Sequence, residues 1–380
     1  MIYDIAIIGA GMAGASLAYF LNPATRVLLI EGESAPGYHT TGRSAAFYSE
    51  TYGGPLIQPL STASKAFFEA PPAGFTPLPL LGPRGGLHVA RAGTEAALDR
   101  IEADFAQSGV RIERTTAQTH APGLLAPDYA GAALWEPECR DMDVGEIHRA
   151  FLAGARAQGT RLLTHASVTA IDRAGSAWQI ATTAGPVEAA AIVNAAGAWA
   201  DTIATLAHAA PLHIAALRRT VAQVEVTPTP PRTLPLVMDS AGEFYFKPEG
   251  DRLWVSPHDE IPDTPSDVQP HELDVATAID RLETASTMRV RRLDRAWAGL
   301  RCFAPDRAPV YGWDPDTPGF FWCAGQGGFG IQTAPAAGQL AAALLERRAL
   351  PDHLARFRVD PARYAPARFA LNATQSPFAR

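Results

Sequence analysis

Lysine is nearly missing from this 380-residue chain: Lys65 and Lys247 are the only two, and arginine carries the rest of the positive charge. Acidic residues outnumber Lys and Arg by 39 to 32, giving a net charge of −7. That balance lacks the basic footprint that neutralises phosphates along a duplex, so nucleic acid is not an expected partner. Cysteine is scarce too. Cys139, Cys302 and Cys323 are scattered, have no metal-ligand spacing and cannot all pair, which points to no metal site and to a reducing cytoplasm. No uninterrupted apolar run reaches 18 residues, so no membrane-spanning helix is expected. Residues 1–8 show neither the basic leader nor the cleavage site of a secretory signal. Internal repeats are also lacking.

What is present is the balance of a soluble enzyme, 47% hydrophobic and 19% charged, with enough chain for two interleaved domains. Residues 5–8 form an apolar run ending at Gly9, residues 13–21 carry apolar side chains at helical spacing, and residues 27–30 form a second apolar run ending at Glu31. This is a strand, helix, strand unit. Further strands are expected at 191–194 and 320–324, each entering a glycine-containing loop, so the sheet draws on three separated stretches of chain. Residues 80–92 and 219–256 alternate and are rich in Val, Phe, Tyr and Leu, as antiparallel strands are. Residues 228–235 and 258–272 read as loops, one of them a candidate lid.

Gly9, Gly11 and Gly14 form GxGxxG directly after a strand and at a helix start. Gly9 permits the tight turn, Gly11 lets backbone approach a pyrophosphate, and Gly14 allows close helix packing. Glu31 stands where a carboxylate binds ribose hydroxyls, and Ser16 is a further phosphate candidate. Four longer stretches then carry a resemblance. Gly37-Tyr-His-Thr-Thr-Gly-Arg-Ser-Ala-Ala46, Val193-Asn-Ala-Ala-Gly-Ala-Trp-Ala200, Trp297-Ala-Gly-Leu-Arg301 and Trp322-Cys-Ala-Gly-Gln-Gly-Gly-Phe-Gly-Ile-Gln-Thr333 resemble the D-amino-acid oxidase (DAO) superfamily of FAD-dependent oxidoreductases, nearest its bacterial D-arginine dehydrogenase branch.

The resemblance implies an α/β fold with a Rossmann-like FAD-binding domain of the glutathione-reductase/DAO type, interleaved with a substrate domain on a mostly antiparallel sheet. Residues 1–75, 141–215 and 297–380 would form the first, 76–140 and 216–296 the second. It implies FAD held by Gly9, Gly11, Met12, Ala13, Gly14, Glu31, Gly42, Arg43, Ser44, Ala45, Ala46, Val168, Ala196, Gly197, Trp199, Arg301, Gly327, Gly328, Phe329, Gly330, Ile331 and Gln332. The flavin is expected to be non-covalent, although Cys302 lies near the place where sarcosine oxidases attach theirs. A helix starting near Thr333 would aim its positive end at the flavin, where reduction adds negative charge.

The resemblance further implies that Arg219 and Arg301 clamp a substrate carboxylate while Tyr52, Tyr245 and Gln332 complete the pocket, for hydride transfer from the Cα of a D-amino acid to flavin N5. The fork of a guanidinium matches a carboxylate plane. Arg218 beside Arg219 leaves open which of the two faces inward. The rival reading is a sarcosine- or glycine-type amine oxidase using O₂. A quinone-like acceptor is expected because the strand at 253–256 carries no lysine, while Lys247, before Pro248, reads as a turn. The expected assembly is a monomer or small homo-oligomer. Gly86 and Phe47 replace the glutamate and histidine of the D-arginine branch. A neutral side chain is therefore expected to suit the pocket better than a guanidinium, unless Glu50 supplies the missing anion.

Overall fold

The apolar runs of the sequence become neighbours in a parallel sheet. Its order is Phe320–Ala324, Val187–Asn194, Ile2–Ile8, Val27–Ile30 and Arg161–Leu163, each adjacent pair parallel. Alternate side chains serve two cores. Ile7, Leu29, Val193 and Phe321 meet Leu17 and Leu340 of the helices Met12–Phe20 and Ala334–Leu345, whereas Ala6, Leu28, Ile192 and Trp322 pack on the opposite face. Burial on both faces explains why these strands read as unbroken apolar stretches. The antiparallel pair Val168–Ala174 and Ala177–Thr182 widens the sheet along the first half of Val187–Asn194. The computed structural model describes residues 2–369; Met1 and residues 370–380, the end of the expected cofactor segment, lie outside the described residues.

A ten-stranded sheet forms the second layer, antiparallel except where Leu236–Asp239 runs beside Gly86–Val89. Its backbone is the long pair Ala215–Thr227 and Arg289–Phe303, which stay in antiparallel register from Ala215↔Phe303 to Thr227↔Arg289 with two shifts. Strand alternation divides its residues. Ala222, Val224 and Phe246 pack with Ala278 and Leu282 of the helix Glu272–Ala285. On the other face Val221 and Tyr245 pack with Ala45 and Met238, against the cofactor-side loop. Arg218 and Arg219 therefore part: Arg218 reaches Asp263 and Asp274, and Arg219 turns to the opposite face.

The expected turn at Lys247 is not found. Lys247 lies inside the strand Tyr245–Glu249, buried and bonded to Asp141 at 2.8 Å and Glu249 at 3.1 Å. Pro248 removes one ladder donor, yet Lys247 and Glu249 stay in register with Trp254 and Arg252. Residues 258–271 are irregular apart from Ile261–Pro262, and Glu272, expected to end the loop, instead opens the helix Glu272–Ala285. Among the described residues no helix is long and apolar enough to cross a membrane, and no cluster of His, Cys, Asp or Glu could hold a metal ion.

Candidate active site

The carboxyl ends of the parallel strands open onto a cleft lined by residues from all three sheet-forming stretches. At its floor Gly9 has φ +105°, and a Cβ there would stand 2.3 Å from the Ala195 carbonyl oxygen. Only glycine lets the first turn pass so close to the strand end. A Cβ at Gly14 would lie 2.0 Å from the Gly9 oxygen, so this residue sets the seating of the helix on its strand. The Glu31 carboxylate accepts the amides of Ala10 at 3.1 Å and Glu33 at 3.0 Å, which fixes it at the cleft wall. The Met12 amide, at the helix start, donates to Thr41 Oγ1 at 3.0 Å.

Beyond the cleft lies the far face of the antiparallel sheet. Alternation along Trp297-Ala-Gly-Leu-Arg301 places Trp297, Gly299 and Arg301 on one face, opposite Val221, Arg219 and Leu217. A Cβ on Gly299 would sit 2.8 Å from Arg301 Nη1, so the glycine leaves room for the guanidinium. Arg301 donates through Nη2 to the Arg43 carbonyl at 3.2 Å, while Nη1 is buried without a partner. Burial pushes its pKa down and the charge of Arg219 adds to the effect, against the pull of the Tyr245 phenol. A buried cationic N–H with no acceptor is a strong demand for an anion or dipole from a ligand.

Arg219, 2% exposed, donates to Tyr52 Oη at 3.2 Å, to the Asp259 carbonyl at 2.7 Å and to Glu260 at 3.0 Å. Burial disfavours its charge, but Tyr52, Tyr245 and Glu260 together outweigh burial and raise its pKa. Phe47 stacks edge-on with both tyrosines, at 5.0 Å from Tyr52 and 5.6 Å from Tyr245. The two tyrosines line a second cavity, about 290 Å³, together with His88, Asp239, His258, Glu260 and Arg307 among others.

The FAD dependent oxidoreductase family profile, DAO, matches residues 4–344. This chain belongs to the DAO family of FAD-dependent oxidoreductases. The DAO chain is 26% identical to the glycine oxidase of Geobacillus kaustophilus over 93% of its own length and 96% of that protein, whose crystal structure superposes with a TM-score of 0.79 over 93% of this chain and 97% of that one. The L-proline dehydrogenase of P. horikoshii, at 21% identity, shares the fold with a TM-score of 0.82 over 98% of both chains. Human mitochondrial dimethylglycine dehydrogenase is 28% identical over 67% of this chain but only 30% of its own length. The chain spans between 30% and 53% of the first three curated relatives it matches.

The cleft fits FAD. Backbone crowding at Gly9, the fixed carboxylate of Glu31, and the unpartnered Arg301 Nη1 all belong to its lining. Of the residues assigned to FAD by sequence, Gly9, Gly11, Met12, Ala13, Glu31, Ser44, Ala196, Gly197, Trp199, Arg301, Gly327, Gly328, Gly330 and Ile331 line it. The helix expected near Thr333 begins at Ala334, three residues after Ile331. The others stand around it. Arg43 is pinned outward to Asp267 and the Val268 carbonyl, while its own carbonyl receives Trp297 and Arg301. Ala45 is core, and Gly42 and Ala46 border a neighbouring cavity that contains Lys247. Val168 sits at the start of a strand, and Phe329 packs against Phe303 and Tyr52. Ser16 turns back to its own helix, on the Ala13 carbonyl. Gln332 spends its amide on the Ser49 N–H, the Tyr52 carbonyl and Ser61, so it holds the loop that carries Tyr52.

Several lining residues escaped sequence reasoning. Tyr38, His39, Thr40 and Thr41 line the cleft, and they were legible in the same motif that supplied Gly42. His258 bonds the Gly242 carbonyl at 2.8 Å and lies 3.4 Å from Tyr52 Oη; burial, aided by Arg219, lowers its pKa to about 4. Two expectations about the side-chain pocket change. Gly86 does not line the second cavity, because a Cβ there would point at Cys139 and Met238, each 3.2 Å away. Glu50 is tied away from it, accepting from Thr62 with Lys65 3.6 Å distant. The anions at the cavity are instead Asp239 and Glu260, and His88 adds a second polar edge. His88 is backed by the fully buried Glu136, which also receives Ser49, Thr51 and the Glu50 amide.

Proposed function

We propose that this DAO-family chain dehydrogenates a D-amino acid to the imino acid, which water then converts to a 2-oxo acid and ammonia. The observation that carries the reading is the buried, unpartnered Arg301 Nη1 in the lining of the cofactor cleft, on the same sheet face as Arg219, which bonds Tyr52 and Glu260 of the second cavity. Two guanidiniums there suit a carboxylate. Bound FAD supplies a hydride acceptor. The two arginines hold the carboxylate and the two tyrosines orient the amine, so that positioning does most of the catalytic work. In this reading residues 1–75, 141–215 and 297–380 carry the cofactor, residues 76–140 and 216–296 carry the substrate, and Gln332 holds the Tyr52 loop. The acceptor is quinone-like, and the reaction runs in the cytoplasm, where three unpaired cysteines stay reduced.

A glycine- or sarcosine-type amine oxidase is the second reading, favoured by the nearly full-length likeness to a glycine oxidase. The cavity of about 290 Å³ lined by Tyr52 and Tyr245 supports the first, since glycine has no side chain to fill it. Anaerobic titration of the holoenzyme separates them. Bleaching of flavin absorbance by D-amino acids bearing side chains, and not by glycine, sarcosine or L-amino acids, is the expected result. Bleaching by glycine or sarcosine alone would overturn it.

A further inference from the structure

Each nitrogen of Arg219 already has a protein partner: Nε serves the Asp259 carbonyl, Nη1 serves Tyr52, and Nη2 serves the carboxylate of Glu260. A substrate carboxylate therefore meets a guanidinium whose outer edge is taken by a protein carboxylate. Glu260 has a second partner in place, Arg307 Nη2 at 2.7 Å. Arg307 is half exposed, lies over the Phe303 ring at 3.9 Å, and lines the same cavity as Glu260. The backbone beneath is fixed, because the Asp259 carboxylate takes the Thr220 N–H at 2.7 Å and the Thr220 hydroxyl at 2.9 Å. Glu260 can thus leave Arg219 by side-chain rotation while the loop stays put.

We propose that Glu260 is a positioning residue of the carboxylate site, an internal stand-in that occupies Arg219 and is exchanged onto Arg307 when a substrate carboxylate arrives. The inference rests on the Arg219 role proposed above. Its logic is that of competition: the protein's own carboxylate pairs a buried cation, and a carboxylate ligand that is to reach Arg219 Nη2 must displace it. The exchange opens Arg219 Nη2 while Nε and Nη1 keep their partners, so the guanidinium stays oriented. The Arg301 Nη1, which has no partner to lose, supplies the other half of the clamp. Aligned donors are then offered without rebuilding the pocket.

The test uses the FAD-loaded enzyme with benzoate as the probe, followed by the flavin absorbance change on binding, alongside steady-state kinetics on the best amino acid. Glu260→Gln should tighten benzoate and lower KM by about two- to fivefold, the worth of one partly exposed ion pair, with the effect on KM and not on kcat. Arg307→Gln, which removes the place Glu260 moves to, should weaken both by a similar factor. The double variant should match Glu260→Gln alone, since Arg307 has no role once Glu260 is neutral. An unchanged or weaker affinity in Glu260→Gln, or an Arg307→Gln effect that persists in the double variant, overturns the exchange. Failure of benzoate to perturb the flavin in any variant, together with no bleaching by amino acids, instead overturns the carboxylate site itself.

Discussion

Replacing Glu136 by glutamine removes one charge from the interior and changes almost nothing in volume. Its carboxylate is 0% exposed and receives Ser49 Oγ at 2.8 Å, Thr51 Oγ1 at 2.7 Å, the Glu50 amide at 2.7 Å and His88 Nε2 at 3.2 Å. Burial alone would raise the pKa of such a group, but His88 and the two hydroxyls outweigh it and hold it below the usual range. In Glu136→Gln one oxygen becomes an NH₂ that faces donors, so either the Ser49, Thr51 and His88 side chains on Oε2 lose their acceptor or the Glu50 amide on Oε1 does. Breaking a buried ionic network this way costs about 3–5 kcal/mol. With an unfolding entropy near 2.1 cal/mol/K per residue, 380 residues give about 0.8 kcal/mol/K, so Tm should fall by about 4–6 °C. Thermal melts of wild type and variant, with and without added FAD, measure it. Glu138→Gln is the control: that carboxylate is 29% exposed, pairs with Lys65 and Arg140, and should shift Tm by less than about 1 °C. Because the Tyr52 amide is held by Ser49 Oγ at 3.2 Å, substrate KM should rise in the Glu136 variant as well. Equal Tm values for Glu136→Gln and wild type would refute the reasoning.

Two further outcomes are expected. Burial, with Arg219 adding to it, drops the pKa of His258 from 6.5 to about 4, so the folded state binds fewer protons than the unfolded chain between those values. Stability is then unaffected above pH 6.5 and lost as pH falls to 4, by about 3 kcal/mol at 1.36 kcal/mol per unit. Denaturant melts at pH 7 and pH 4 should show His258→Gln losing correspondingly less than wild type; equal losses would remove His258 as the cause. Acid precipitation of the holoenzyme should release the flavin into the supernatant: Cys302 lines the cleft, yet burial raises its thiol pKa to about 12, leaving little thiolate to attack. Colour retained in the pellet would show a covalent link.

The parts of the site that could be read from the sequence are those whose chemistry is local. Gly9, Gly11 and Glu31 are set by one strand, helix, strand unit, and Trp297 to Arg301 needs only the two-residue period of a strand to put Trp297, Gly299 and Arg301 together. Arg218 and Arg219 could not be told apart, because that period fixes the faces but not which face meets the cofactor; the packing of Asp274 on Arg218 decides it. Lys247 was misread from a proline that the strand tolerates at Pro248. The side-chain cavity was out of reach for a different reason. His88, Asp239 and Arg307 come from separate elements and meet His258 and Glu260 of a fourth, so no spacing links the set, and the inward direction assumed for Gly86 depends on Cys139 and Met238.

The cofactor cleft is closed by residues that lie far apart in the chain: the Gly9 turn, the Ala195–Trp199 segment and the loop at Gly327–Ile331. On the ribosome the first of these emerges more than 300 residues before the last. Capture of the flavin must therefore wait until the Gly327–Ile331 loop has been made, and a chain ending before Gly327 has a phosphate turn but no pocket. Supply of FAD then acts only on chains that include this loop, stabilising them by mass action and leaving shorter nascent ones to depend on their sheets.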